Sequence, residues 1–205
     1  MIAGQATSLA AYAAIGSGVF WLLYLGLVLV EYTEKVPYST GFKTLGLSAG
    51  VLQALPIVIP AAVLYEAFDD GASALNLAGF VAACASAILI SMSTLKYLKK
   101  GTRFEDVSNL MQAGYGLLSI WILAVSLLSK ETSFLPTYFS ILGIAASVGM
   151  AITSVLSLIY GPLSPGIETE GVPPIAYRIA YPMGGIGFLG YPVWAILLGL
   201  ALLKI

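Results

Sequence analysis

The chain has 205 residues, of which 59% are hydrophobic and 9% charged, with a formal charge of −1 and no histidine. Ordinary globular domains carry about a quarter of their residues charged, so this composition specifies a membrane protein. The near-zero charge and the lack of a basic run argue against nucleic acid as a partner, and the missing imidazole argues against most haem, copper and catalytic zinc chemistry.

Six apolar runs reach the roughly 20 residues needed to cross about 30 Å of hydrocarbon: 8–30, 44–66, 75–97, 107–128, 135–160 and 184–204. Each is expected to be a transmembrane helix. The first run follows no basic segment and no small-residue cleavage site, so it is expected to remain as a helix. It repeats small residues at Ala10, Ala14 and Gly18, and places Trp21 and Tyr24 three apart on one face. The second run contains Gln53 between apolar neighbours, then Pro56 and Pro60. A proline has no backbone donor and leaves a carbonyl without its helical partner, so this helix is expected to kink.

The third run repeats Gly79, Ala83 and Ala87, and the fifth Gly143, Ser147 and Ala151. Small residues every fourth position let helix backbones approach where lipid provides no hydrophobic drive for association, so the odd-numbered helices are expected to make the tight contacts. The third also contains Cys84, the single cysteine, which excludes an intrachain disulfide and reads as a small buried hydrophobe. The fourth carries Gln112 and Trp121. After Tyr160 comes a long break rich in glycine, proline and acid, from Gly161 to Pro174. The sixth run begins with Gly184, Gly185, Gly187 and Gly190 and continues into Tyr191, Pro192 and Trp194. No strand precedes these glycines and no cation follows until Lys204, so they fit close helix packing better than a phosphate cradle.

Lys35, Lys43, Lys96, Lys99, Lys100, Arg103 and Arg178 fall on one side of this arrangement, and Lys130 and Lys204 on the other. Positive charge is retained in the cytoplasm, which puts both termini outside, with the cell membrane as the expected location. The odd helices end near Tyr32, Tyr97 and Tyr160. That period fits duplication of a helical hairpin, but the preference of tyrosine for the membrane interface explains it more simply.

Chemistry at depth is sparse. The carboxylates Glu31, Glu66, Asp69, Asp70, Glu105, Asp106 and Glu131 all fall at helix ends or junctions, whereas a coupled pump needs an ionisable group within the bilayer. No nucleophile elbow, serine triad or phosphate loop is present. No catalytic residue, metal ligand or cofactor is expected. What stands out is a set of indoles, phenols and amides inside the spans: Trp21, Tyr24, Gln53, Gln112, Trp121, Tyr191 and Trp194. In lipid these groups need hydrogen-bond partners: one another, a proline-freed carbonyl, or a bound molecule.

The sequence therefore specifies one all-α domain over 1–205, a polytopic integral membrane bundle of six helices. The expected function is that of a non-catalytic structural or accessory subunit, surrounded by lipid and packed with other membrane subunits or further copies of itself. The alternative is a channel or carrier for a small neutral or hydrophobic solute, with those seven residues as its candidate ligand-binding set. An enzyme ranks third.

Overall fold

The computed structural model describes residues 2–34, 48–68, 73–98, 105–133, 135–161, 163 and 171–204. Six helices long and apolar enough to cross a membrane account for nearly all of them: α1, Ile2–Glu34; α2, Ser48–Ala67; α3, Ser73–Leu98; α4, Glu105–Thr132; α5, Thr137–Tyr160; and α6, Pro174–Leu202. The chain is an all-α, six-helix integral membrane bundle. Most of the charge expected to set its orientation lies outside the described residues, at Lys35, Lys43, Lys99, Lys100 and Arg103, as do Asp69, Asp70 and most of the break after Gly161.

Two helices differ most from their expected bounds. α1 extends past both ends of its apolar run, because backbone hydrogen bonds rather than hydropathy decide where a helix stops. α6 begins ten residues earlier than the sequence predicts and runs through both Pro182 and Pro192. Pro174 sits at its first turn, where a missing N–H removes no helical bond. Within lipid a broken helix would strand several backbone groups, whereas each internal proline strands one carbonyl. At the end of α5, Gly161 adopts φ 86°, a left-handed conformation natural to glycine, and the helix stops there.

Each helix packs on the next in sequence, and α6 returns to α1, which closes the six into a ring. The seams are drawn together by small residues. A Cβ on Gly18 of α1 would lie 2.7 Å from the Pro192 carbonyl oxygen of α6, and one on Gly187 of α6 would lie 2.5 Å from the Met150 nitrogen of α5. Gly79 of α3 meets the Ala124 Cβ of α4 at 2.8 Å by the same measure. The small-residue stripes of the odd helices thus do face neighbouring helices. The even helices contribute equally, through Gly114, Gly187, Gly190 and Gly199. Large apolar side chains cover the outside, among them Leu23, Ile88, Ile141 and Ile159.

Candidate functional site: the aromatic and amide centre

The ring is filled at its centre by the residues that the sequence marks as unusual. Trp21, Gln53, Trp121, Tyr191 and Trp194 are all at most 3% exposed. Trp21 from α1 meets Tyr191 from α6 edge to face at 4.7 Å, Tyr115 from α4 at 5.2 Å, and stacks on Phe188 of α6 at 5.6 Å. Next to this group Trp194 lies edge-on to Trp121 at 5.3 Å and stacks on Phe139 of α5 at 5.1 Å. Tyr191 and Trp194, three apart on one helix face, join the two groups with ring centroids 6.5 Å apart. Offset and edge-on aromatic pairs each add about 0.5–1.5 kcal/mol beyond the area they bury.

The polar atoms of the Trp21 group are committed to helix–helix bonds. Pro192 has no N–H to offer the carbonyl four residues earlier, Phe188. The Trp21 indole Nε1 donates to that oxygen over 2.8 Å. In α2 a short 3₁₀ turn at Leu55–Ile57, with Pro56 in it, interrupts the regular ladder. The Gln53 carbonyl beside this turn accepts from the Ser17 hydroxyl at 2.6 Å. Ser17 has one proton, and Gln53 receives it, so the Tyr191 hydroxyl 2.7 Å away is the donor to Ser17. One relay therefore ties α6 to α1 and α1 to α2. From the sequence, the Gln53 side chain is a candidate to serve a proline-freed carbonyl. Instead the Gln53 amide reaches across to the Tyr115 hydroxyl of α4 at 3.5 Å, while Ser17 bonds the Gln53 backbone, one residue past the Leu52 carbonyl that Pro56 leaves without its helical donor.

Of the other candidates, Tyr24 is half-buried one turn beyond Trp21. Gln112 lies away from the centre, on a stripe of α4 that continues at seven-residue intervals through Ser119 and Ser126. Ser126 abuts Gly143 of α5, and a Cβ on Gly116 would lie 3.6 Å from the Ser154 Cβ. α5 carries Ser140, Ser147 and Ser154 at the same seven-residue spacing, so the α4–α5 seam is a polar one. Ser119, Ser126 and Ser147 donate to carbonyls of their own helices at 2.6–2.8 Å. Five buried polar atoms on or beside this seam have no partner among the described residues: Gln112 Oε1, the hydroxyls of Ser129, Ser140 and Ser154, and Trp194 Nε1. Gln53 Oε1 at the centre is in the same position.

Sequence patterning does not single out Ser17, Tyr115, Phe188 or Phe139, whose roles depend on helices far apart in the chain. The serine seam also escapes it, although the seven-residue spacing is a usable signal. Among the described residues no three His, Cys, Asp or Glu side chains gather into a metal-binding group. No protein-family model, curated protein or solved structure matches the chain.

Proposed function

We propose that the chain is a non-catalytic membrane subunit, structural or accessory, that packs with other membrane subunits through its apolar outer faces. The observation that carries this is the relay at the centre. Trp21, Tyr191, Ser17 and the Gln53 backbone spend their hydrogen bonds on one another and on the Phe188 carbonyl. A solute pathway would need such groups turned toward the solute, whereas here they hold α1, α2 and α6 together. Native mass spectrometry from gentle detergent tests the proposal. A fixed assembly with further membrane subunits, or with further copies of the chain, is expected; a lone monomer, under conditions that preserve other complexes from the same membrane, would refute it.

A second reading, a channel or carrier for a small neutral or hydrophobic solute, draws support from the Gln53 side chain. It is 1% exposed, its Oε1 lacks a partner among the described residues, and its bond to Tyr115 is long at 3.5 Å. Under that reading Gln53→Leu abolishes binding or flux and leaves the fold intact, and solutes quench indole fluorescence saturably in the parent chain. Under the first reading no saturable quenching is seen.

A further inference from the structure

Toward the end of the bundle where α2 gives way to α3, a cavity of about 10 Å³ lies between α2, α3 and α4. Its wall includes Ala61, Tyr65, Asn76, Gly79, Trp121 and Ala124. A space of about this size holds one water molecule and nothing larger. Whether such a space stays dry depends on its lining, because apolar cavities exclude water and polar ones recruit it.

This lining has polar groups of both kinds. Asn76 is 6% exposed, and its Nδ2 donates to the Tyr65 carbonyl at 2.8 Å. That bond fixes the amide's orientation and turns Oδ1 the other way, as an acceptor that joins no helix contact among the described residues. Trp121 is 3% exposed and makes no hydrogen bond through its indole N–H among the described residues. Its pyrrole edge faces Gly79, where a Cβ would lie 3.9 Å from Trp121 Cδ1, the atom bonded to the indole nitrogen. A glycine at 79 thus leaves room beside the donor. An indole N–H without a partner inside a helix bundle is costly, and the cavity that Trp121 lines can supply one.

We propose that this cavity binds one long-lived water molecule, which accepts from Trp121 Nε1 and donates to Asn76 Oδ1. With Asn76 already bonded to Tyr65, the water completes a staple across three helices. A cation does not suit the site, because the indole presents a proton to it. An apolar gas does not suit it either, because both polar groups would stay unpaired.

The test is water-to-protein dipolar transfer in NMR of the detergent-solubilised full chain, read at the indole protons. With three tryptophans in the chain, Trp→Phe variants assign the three signals. The Trp121 indole proton should show a cross-peak to water with the sign of dipolar contact rather than chemical exchange, and the Trp21 proton, held by Phe188, should show none. Asn76→Leu, which removes the acceptor, and Ala61→Val, which fills the space without touching either polar group, should each abolish the peak while helix content by circular dichroism is kept. Absence of the Trp121 cross-peak in the unaltered chain overturns the proposal, as does its persistence in either folded variant.

Discussion

Trp21 Nε1 donates to the Phe188 carbonyl over 2.8 Å, and Phe188 is the residue whose carbonyl Pro192 leaves without a helical donor. An internal proline is tolerated in a membrane helix when something else satisfies the freed oxygen. Here an indole from another helix does so, which makes the proline and the tryptophan a coupled pair. A double-mutant cycle measures the coupling. Trp21→Phe should lower stability, with interhelical bonds in membranes contributing about 0.6–2 kcal/mol. In a Pro192→Ala background, where residue 192 again supplies an N–H to Phe188, the same change should cost less by about 1 kcal/mol. Equal costs in the two backgrounds would show that the indole does not serve that carbonyl.

Ser17 stands at the middle of the relay and Tyr191 at its start. Ser17→Ala removes the donor to the Gln53 carbonyl and the acceptor for the Tyr191 hydroxyl, leaving two buried groups unpaired. Tyr191→Phe removes one donor and leaves only a serine oxygen that still donates. Since unpaired buried groups each cost about 1–3 kcal/mol, Ser17→Ala should be the more destabilising despite the smaller atom loss. Thermal unfolding in detergent gives the order directly, and the reverse order would rule out the relay.

The six spans are legible in the sequence because crossing hydrocarbon is a requirement on length and apolarity, both local properties. So is the shared face of Tyr191 and Trp194, set by helical periodicity. The packing role of Gly187 and Gly190 can be read by eliminating a phosphate site. Proline arithmetic identifies Phe188 as an orphaned acceptor, but nothing near Trp21 says that its indole will arrive there. Tyr115 carries no local mark at all, and the Phe188 ring none beyond its carbonyl; both rings become central only when α1, α4 and α6 converge. The start of α6 is hidden because Pro173, Pro174, Pro182 and two adjacent glycines resemble a loop by the rules that hold in water. In lipid the cost of an unbonded backbone overrides them.

Gly185 and Gly187 provide a test of opposite sign within one turn of α6. A Cβ at Gly187 would lie 2.5 Å from the Met150 nitrogen, whereas a Cβ at Gly185 meets nothing within 4 Å. Gly187→Ala must push α5 and α6 apart and should cost about 1–3 kcal/mol. Gly185→Ala adds a better helix former facing open space and should be neutral or stabilising by up to about 1 kcal/mol. Matching losses at both positions would mean that α6 is rotated from the orientation described.

The same substitution at two equally buried indoles separates hydrogen bonding from packing. Trp21 and Trp194 are 1% and 0% exposed, and each contacts several aromatic rings. Replacing either with phenylalanine removes a similar amount of apolar surface and opens a similar space. The difference lies in the nitrogen. At Trp21 the change strands the Phe188 oxygen, whereas at Trp194 it removes a buried N–H that has no partner among the described residues. Losing a partner leaves the full desolvation cost of the group left behind, while losing an unpaired donor relieves one. Trp21→Phe should therefore lower the unfolding free energy by about 1 kcal/mol or more beyond Trp194→Phe. If Trp194→Phe proves equally or more damaging, its N–H has an acceptor after all. Ser126, which shares with it the space beside Gly143, is then the residue to test, because Ser126→Ala would reproduce the loss.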